Sequence, residues 1–318
     1  MTATEAGGSE RLPRSAPLHG VLVVDKPRGP TSFDVVQRVR RALRVDKAGH
    51  TGTLDPMATG VLAVCLGDAL KVQQYLVEGD KAYEAEVAFG VATDTEDAEG
   101  REVSRADASA LTREAIAAAL PRFVGEIEQV PPMYSAVRVG GKRLHEAARA
   151  GEAVERAPRR VRVMGLDLLA FASERDGLAR ASLAVRCGKG TYVRTLAADL
   201  GRAVGVPAHL AALRRVSAGP FTLAEAVPLD ELQRLAAEDR AQVEARVIPV
   251  VRALDFMPSV ALSGEQARDV AHGRAVQLPE LPQRLFRALS PEGTLVAICS
   301  AGPRGVQPVR VLEPRRTR

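Results

Sequence analysis

The sequence predicts an α+β protein whose strands pair, at least in part, antiparallel, followed by a small β-rich unit. Residues 161–171 and 178–187 alternate apolar and polar side chains and are joined by a short polar turn. Such a pair is typical of two half-buried antiparallel strands. Residues 111–120 carry the apolar spacing of an amphipathic helix. From about Met257, short apolar runs are separated by proline and glycine, which predicts a separate small unit of strands.

The composition is that of a globular protein, since 46% of the 318 residues are hydrophobic and 26% are charged. No apolar run reaches the roughly eighteen residues of a membrane-spanning helix, so we expect no membrane partner. The first seventeen residues are polar and lack the apolar segment of a secretory signal. We therefore expect a disordered tail over 1–17, a main domain over 18–255 and a small domain over 256–318.

The three cysteines are Cys65, Cys187 and Cys299, which lie far apart in apolar or strand-like surroundings. Their spacing matches no zinc site, and an odd number argues against a disulfide framework. We interpret them as small buried hydrophobic residues of a protein in a reducing cytoplasm.

Positive charge is concentrated in two clusters of a chain whose formal net charge is +5. A run of like charges is most simply a solvated helix face. Two such runs in one basic chain nevertheless favour the binding of phosphates. The first cluster comprises Arg38, Arg40, Arg41, Arg44 and Lys47, and the second comprises Arg156, Arg159, Arg160 and Arg162.

The first predicted elements lead into a constrained loop. Residues 20–25 predict a short strand that ends before Lys26, and residues 31–34 have the form of a capping box that begins a helix. Residues 49–62 read GHTGTLDPMATGVL, and the apolar run that begins within them has the length of a buried strand. Pro56 biases Asp55 toward an extended conformation, so one carboxylate is held at the mouth of a strand. Taken alone, Asp55 would be assigned to capping a turn.

The middle of the chain predicts a helix, a strand and an acidic turn. Residues 68–76 read as a helix that carries Lys71. Residues 81–89 alternate, with Tyr83 on the apolar face, where its simplest interpretation is a core aromatic. The acidic turn over 93–100 lacks the complete calcium-loop pattern. We interpret it as structural, and it is open whether Asp97 lies near a functional site.

Two further predictions concern the segment after residue 129. A hairpin is expected at Gly140–Gly141, followed by a helix from Lys142 that Gly151 ends. Residues 187–196 read CGKGTYVRTL and begin a helix that Gly205 ends. The glycine-flanked lysine lacks the spacing of a phosphate-binding P-loop.

Taken together, these motifs resemble those of the TruB-type tRNA pseudouridine-55 synthases. That family has a Gly-His-Thr-Gly-x-Leu-Asp-Pro-x-Ala-Thr-Gly run, and every fixed position of it is present around Asp55. Its Lys-Pro, Lys-x-Tyr, Lys-Gly-Thr-Tyr-x-Arg and Leu-Arg-Arg segments occur here in the same order. The resemblance implies the pseudouridine synthase fold, with a mixed, mostly antiparallel central sheet and flanking helices. It also implies a small PUA-like C-terminal domain that binds the acceptor side of tRNA.

The resemblance implies an isomerase that converts uridine 55 of the tRNA T-loop to pseudouridine without a cofactor or a metal. Asp55 would act on a flipped-out uridine, as nucleophile or base, through attack on the base, attack on the sugar or a glycal route. Arg194 would pair with Asp55, because a neighbouring guanidinium favours the ionised carboxylate. Tyr83 would stack on the uracil. The other substrate-binding candidates are His50, which would fill the gap left by the base, Tyr192, Leu213, Lys26 and Lys71.

The expected partner is tRNA alone, bound by a cytoplasmic monomer with no obligatory protein partner. Two other classes remain open, an RNA-binding module without chemistry and a carboxylate-based hydrolase, although the latter would usually need a second catalytic acid. A guide-RNA-dependent pseudouridine synthase would share the aspartate motif, and activity on bare tRNA would distinguish it.

Overall fold

The computed structural model describes residues 18–135, 138–139, 142–143, 154–278, 285–302 and 305–312. Its α-helices are α1 Ser32–Ala42, α2 Gln73–Val77, α3 Arg113–Ala119, α4 Val193–Val204, α5 Leu229–Glu238, α6 Arg240–Glu244, α7 Val250–Ala253 and α8 Gly264–Ala271. Short 3₁₀ turns cover Gly67–Lys71, Leu120–Phe123 and Leu223–Glu225.

The strands form one large sheet, one small sheet and two short ribbons. They are β1 Gly20–Lys26, β2 Ala48–His50, β3 Thr59–Leu66, β4 Lys81–Phe89, β5 Val91–Thr93, β6 Glu102–Arg105, β7 Gly125–Gln129, β8 Arg138–Val139, β9 Lys142–Arg143, β10 Arg159–Ser173, β11 Ala179–Cys187, β12 Ala208–Ala218, β13 Phe221–Thr222, β14 Val227–Pro228, β15 Ser259–Ala261, β16 Phe286–Leu289, β17 Leu295–Gly302 and β18 Gly305–Val311.

The large sheet has the order β14-β1-β3-β12-β4-β11-β10-β7, with β2 beside β3 and β13 beside β12. Only the β1–β14 and β3–β12 pairs are parallel, and the other pairs described in this sheet are antiparallel. The prediction of a mixed, mostly antiparallel sheet with flanking helices is therefore confirmed. The small sheet, in the order β15-β16-β17-β18, is the β-rich unit expected after Met257.

Strands β1 and β3 are apolar almost throughout because both faces of the large sheet are covered there. Leu22 and Val24 face a core that includes Val35 and Val39 of α1. Their neighbours Val21 and Val23 face the opposite core, which includes residues of the C-terminal sheet such as Ile298. The alternation of a strand sends successive side chains to opposite faces, so a strand buried on both sides needs a continuous apolar run.

Local capping determines where several helices begin and end. Thr31 caps α1 in a capping box with Asp34, and Ser263 caps α8 in the same way with Gln266. Gly205 ends α4 in the left-handed conformation, at a φ of 80°. The caps at Thr31 and Gly205 are at the predicted positions.

Three predicted helices differ from the structure. The helix expected over 68–76 is interrupted at Val72, whose N–H donates to Ala69 three residues back and closes a 3₁₀ turn. The helix expected from residue 111 begins at Arg113, because the Thr112 side chain caps it. Lys142–Arg143 is a strand paired with Arg138–Val139, as the return arm of the predicted hairpin. The rest of the helix expected there lies outside the described residues.

All three cysteines are free and buried, as predicted. In the described ranges, no helix is long and apolar enough to cross a membrane.

Candidate active site

The loop between β2 and β3 is fixed by buried groups on its inner side. Ser32, the first residue of α1, accepts a hydrogen bond from Leu54 N at 2.8 Å and donates one to Leu54 O at 2.9 Å. The Lys26 ammonium donates to the carbonyls of Ala58 at 2.7 Å and Pro56 at 3.2 Å. These contacts hold the backbone on both sides of Asp55, so the carboxylate is presented from a rigid turn.

Lys26 is fully buried, although it carries an ammonium group. Its third acceptor is the carbonyl of Pro27, at 3.1 Å. Burial lowers the pKa of Lys26 to about 8, while the nearby Asp55 carboxylate acts in the opposite direction. Lys26 therefore supports the loop through backbone carbonyls, from beneath the candidate site.

Arg194, in the first turn of α4, contacts the Asp55 carboxylate directly. Its Nε lies 2.9 Å from Asp55 Oδ2, and 5% of its side chain is exposed, against 36% for Asp55. Its two terminal nitrogens donate to Thr95 O and Tyr134 O, both at 2.9 Å. Because three separate segments hold the guanidinium, it cannot swing away from Asp55 without breaking hydrogen bonds.

A second carboxylate, Asp97, lies on the other side of the same arginine. Arg194 Nη1 is 3.5 Å from Asp97 Oδ2, and Asp97 Oδ1 accepts hydrogen bonds from Thr95 Oγ1 at 2.6 Å and Glu99 N at 3.0 Å. The acidic turn is thus structural, as interpreted from the sequence, and it also brings Asp97 to the candidate site. The arrangement is a buried cation between two carboxylates, of which only Asp55 is partly exposed.

Opposing effects act on the pKa of the Asp55 carboxyl. Burial raises this pKa above its ordinary value, and the Asp97 carboxylate adds to the rise. The Arg194 guanidinium lowers it by charge and by hydrogen bonding, and Lys26 lowers it further, but the net direction is upward. Arg194 therefore acts in the direction expected from the sequence, against the effect of burial.

Tyr83, Leu213 and Tyr192 come from three separate segments of the chain. Tyr83 lies half-buried in β4, and burial raises the pKa of its hydroxyl, which favours the neutral phenol. Leu213 lies buried in β12, and Thr59 Oγ1 approaches its carbonyl at 3.5 Å. Tyr192 precedes α4, and its backbone N–H and C=O are both bound by the buried amide of Gln129, at 3.0 and 3.2 Å. The tyrosine is therefore fixed two residues from Arg194.

His50 ends β2 and is held by its backbone, not by its ring. Gln73 Nε2 donates to the His50 carbonyl at 2.6 Å. The ring Nδ1 is buried and has no hydrogen-bond partner within the described residues. Burial lowers the pKa of His50, and the charge of Arg215 lowers it further, so the neutral imidazole is favoured.

The polar contacts described for Lys71 are made with residues outside the loop that carries Asp55. Its ammonium pairs with Asp68 at 2.9 Å and lies 3.5 Å from the carbonyl of Leu312, next to the C-terminal unit. Within the described ranges it makes no hydrogen bond or ion pair with the loop that carries Asp55.

Comparisons with known proteins show which family the chain resembles over most of its length. Residues 40–193 match the model of the TruB family pseudouridylate synthase (N terminal domain). Residues 194–255 and 257–313 match two C-terminal models, those of tRNA pseudouridylate synthase B and tRNA pseudouridine synthase II. A tRNA pseudouridine synthase B from Symbiobacterium thermophilum is 55% identical over 81% of this chain and 83% of its own length. The chain belongs to the TruB family.

Other TruB relatives and solved structures extend the likeness to most of the chain. The tRNA pseudouridine synthase B of a Pseudomonas aeruginosa strain is 48% identical over 86% of this chain and 88% of its own length. A crystal structure of a Cbf5-Nop10-Gar1 complex contains a chain with a TM-score of 0.72 and 26% identity, which covers 97% of this chain and 93% of that one. These findings confirm the predicted family, fold and enzyme class, an isomerase acting on tRNA.

The sequence resemblance gave no role to two residues of the TruB Leu-Arg-Arg segment. Arg215 is 2% exposed, and its guanidinium donates to the carbonyls of Val61 at 2.8 Å, Gly52 at 3.1 Å and Thr53 at 3.3 Å. Arg214 instead forms a bidentate pair with Asp25, at 3.2 and 2.7 Å. One arginine therefore holds the Asp55 loop from below, and its neighbour ties β12 to β1.

The Arg215 contacts require a close approach of two strands. Residues 214 and 215 of β12 pair in parallel with Thr59 and Gly60 of β3. Gly60 has a φ of 101°, and a Cβ at this position would overlap the carbonyl oxygen of Arg215. Only glycine combines that backbone angle with the space available, which accounts for the glycine that closes the Asp55 motif.

Proposed function

We propose that this chain converts uridine 55 in the T-loop of tRNA to pseudouridine, with Asp55 as the reacting carboxylate. The observation that carries the proposal is the Asp55–Arg194 pair, 2.9 Å apart, with the arginine buried and the carboxylate partly exposed. Arg194 binds one carboxylate oxygen, and among the described residues Oδ1 of Asp55 has no hydrogen-bond donor. Once ionised, a carboxylate with one oxygen outside the arginine contact suits either a nucleophile or a base.

The reaction exchanges one bond of the uracil for another. The bond between N1 and C1′ breaks, the uracil rotates and the bond between C5 and C1′ forms. The hydrogen on C5 leaves as a proton and N1 takes up a proton, so the product is an isomer of the substrate. Attack on the base, attack on the sugar and a glycal route all use the Asp55 carboxylate. No electrons enter or leave, so the reaction needs no redox cofactor.

The target uridine has to leave the T-loop stack, which costs a few kcal/mol. We propose that Tyr83 stacks on the extruded uracil and that Tyr192 and Leu213 shape its pocket. His50 is suited to fill the gap in the RNA, because its buried Nδ1 lacks a partner within the described part of the chain. Lys26 is assigned a supporting role, since its donors are directed at loop carbonyls.

The C-terminal unit is proposed as a PUA-like domain, over about 256–318, that binds the acceptor side of tRNA. Lys71 lies where the catalytic part, over about 18–255, meets this unit, with a partly exposed side chain, so we assign it an RNA contact at that junction. We further propose a monomer that acts in the cytoplasm and recognises tRNA without a protein partner.

The decisive experiment is pseudouridine mapping on an unmodified tRNA transcript after incubation with wild-type protein or with Asp55→Asn. Asp167→Asn is a matched control, because Asp167 is an exposed aspartate on β10. We expect conversion of the T-loop uridine by wild type and by the control but not by Asp55→Asn. Conversion by Asp55→Asn would mean that another group reacts, and tight binding without conversion by any variant would favour an RNA-binding protein without chemistry.

A guide-RNA-dependent synthase is the second candidate, because solved neighbours of this chain belong to H/ACA particles. One of them is described as an H/ACA RNP bound to a substrate RNA containing 2′-deoxyuridine, with a TM-score of 0.71 and 26% identity. Identity to the tRNA pseudouridine synthase B from Symbiobacterium thermophilum is about twice as high, at 55%. Conversion of a tRNA transcript without any guide RNA would exclude guide dependence.

A further inference from the structure

A basic groove lies at the far end of α1 from the Asp55 loop. It has a volume of about 820 Å³ and is lined by Arg38, Arg41, Ala42, Arg44, Gln233, Ala236, Ala237 and Arg240. We call this set the basic groove. Arg38, Arg41 and Arg44 belong to the first basic cluster of the sequence, and none of the candidate active-site residues lines the groove.

Short side chains between the two helices that form its walls leave the groove open. Helix α1 packs against α5, and the α5 side of the groove is formed by Gln233, Ala236 and Ala237. These positions have the i, i+3, i+4 spacing of one helix face. Alanines at two of them leave space for a ligand, whereas Arg38, Arg41 and Arg44 line the groove with exposed side chains.

The lining of the groove carries four positive charges and no carboxylate. Arg240 pairs with Glu244, outside the lining, at 2.6 Å, and Arg41 donates to the carbonyl of Gln37 at 3.3 Å. In the described ranges, no ion pair joins Arg38, Arg41 or Arg44 to an acid. Arginines in the last turn of α1 are also stabilised by the negative end of the helix dipole. That effect does not account for Arg240, which comes from another helix.

The backbone at Arg44 gives a second, independent observation. Arg44 follows α1 with a φ of 48°, in the left-handed region. Glycine or asparagine normally occupies such a position after a helix, because other side chains are strained there. Arg44 lines the groove despite that strain. Strained residues often belong to ligand sites.

We propose that the basic groove binds backbone phosphates of the tRNA on which Asp55 acts. Planar guanidinium groups bind phosphate oxygens through paired hydrogen bonds. Helix α1 connects the groove rigidly to the Asp55 loop, because Ser32 at its start is bonded twice to Leu54. From Ser32 to Arg44 the helix rise amounts to about 18 Å, so an RNA duplex that reaches Asp55 can also reach the groove. The inference rests on the proposed function.

The test is the salt dependence of tRNA binding, which needs no turnover. We would measure the Kd of a full-length tRNA transcript between about 50 and 200 mM salt for wild type and for the groove variant Arg38→Gln/Arg41→Gln/Arg44→Gln. Each phosphate contact contributes about 0.7–0.9 to the slope of log K against log salt. We therefore expect the slope to fall by about 2 to 3 in the groove variant, with Kd at least tenfold higher at the lowest salt.

The matched control removes three exposed arginines elsewhere, Arg113→Gln/Arg122→Gln/Arg175→Gln, with the same change in net charge. Equal slopes for the two triple variants would overturn the proposal, because the effect would then be general charge. The proposal would also be overturned if the groove variant bound tRNA as wild type does but no longer bound polyglutamate. The groove would then bind an acidic protein segment. A wild-type protein that binds tRNA with the expected slope but forms no pseudouridine would refute the proposed function and leave the groove supported.

Discussion

Replacing Arg215 by methionine tests whether this buried side chain holds the Asp55 loop in place. The guanidinium donates to three carbonyls, of which that of Val61 belongs to a buried residue, whereas Gly52 and Thr53 are partly or fully exposed. Methionine would remove these hydrogen bonds, but it would also remove the cost of burying a charge, several kcal/mol. The carbonyls of Gly52 and Thr53 can then bind water.

The net loss of stability in Arg215→Met follows from the polar groups that stay buried without a partner. An orphaned Val61 carbonyl costs about 1–3 kcal/mol, and the imperfect fit of methionine adds about 1 kcal/mol. We therefore expect the free energy of unfolding to fall by about 2–4 kcal/mol, which lowers Tm by roughly 5–10 °C. Since a displacement of about 1 Å can cost about 10²-fold in rate, we also expect kcat to fall by about 10²-fold, with little change in the Kd for tRNA.

The assay combines thermal unfolding with release of tritium from uridine labelled at C5, the hydrogen that must leave as C5 bonds to C1′. Arg214→Met is the matched control, because its side chain is 39% exposed and its pair with Asp25 lies nearer the surface. Such pairs contribute about 1 kcal/mol or less. Arg215→Lys should recover part of the stability, since lysine keeps the charge but cannot reproduce all three hydrogen bonds of the guanidinium. Equal losses of Tm and of rate for Arg215→Met and Arg214→Met would refute the assignment.

Three further predictions concern single residues of the same framework. Gly60→Ala should destabilise the protein far more than Gly29→Ala, because both glycines have φ above 100° but only at Gly60 would a Cβ meet neighbouring backbone; chemical denaturation of the two variants compares them. The pKa of Lys26 is lowered to about 8 from 10.5 in the folded state. Between these two pH values the unfolded state binds this proton and the folded state does not, so the contribution of Lys26 to stability should rise as pH increases from about 8 to 10.5. Denaturation at pH 7 and 10 should show that rise in wild type and its loss in Lys26→Met. Burial raises the pKa of Cys65 and of Cys299 to about 12, so neither thiol should react with a thiol reagent before the protein unfolds.

Much of the fold could be predicted because its signals are local. Strand β4 and the pair β10–β11 follow from alternation alone, since a period of two determines which side chains share a face. Helices begin at Thr31 and Ser263 because each side chain binds the N–H three residues later, a pattern that is visible in the sequence. The interruption at Val72 could not be predicted, since the apolar spacing of residues 68–76 is compatible with one helix and with two short turns.

The candidate site was less predictable because its contacts join distant segments. Arg194 meets Asp55 and Asp97 only after α4, the loop that follows β2 and the acidic turn come together. No local pattern indicates that a turn at 93–100 supplies a second carboxylate to the same guanidinium. The family motif singled out Asp55 and Arg194 as candidates, whereas the contact of Asp97 with Arg194 emerged only from the structure.

The roles of the two neighbouring arginines of β12 could have been predicted from the alternation of side chains along the strand. Leu213 is a buried residue of β12, and side chains two apart on a strand share a face. Arg215 therefore had to share the buried face of Leu213, and Arg214 had to face the other way. A buried arginine needs acceptors, and the parallel strand β3, with the Asp55 loop at its start, supplies three carbonyls. An arginine two residues from a core leucine on a strand thus predicts a buried cation that binds backbone, and here the backbone it binds is that of the loop that carries Asp55.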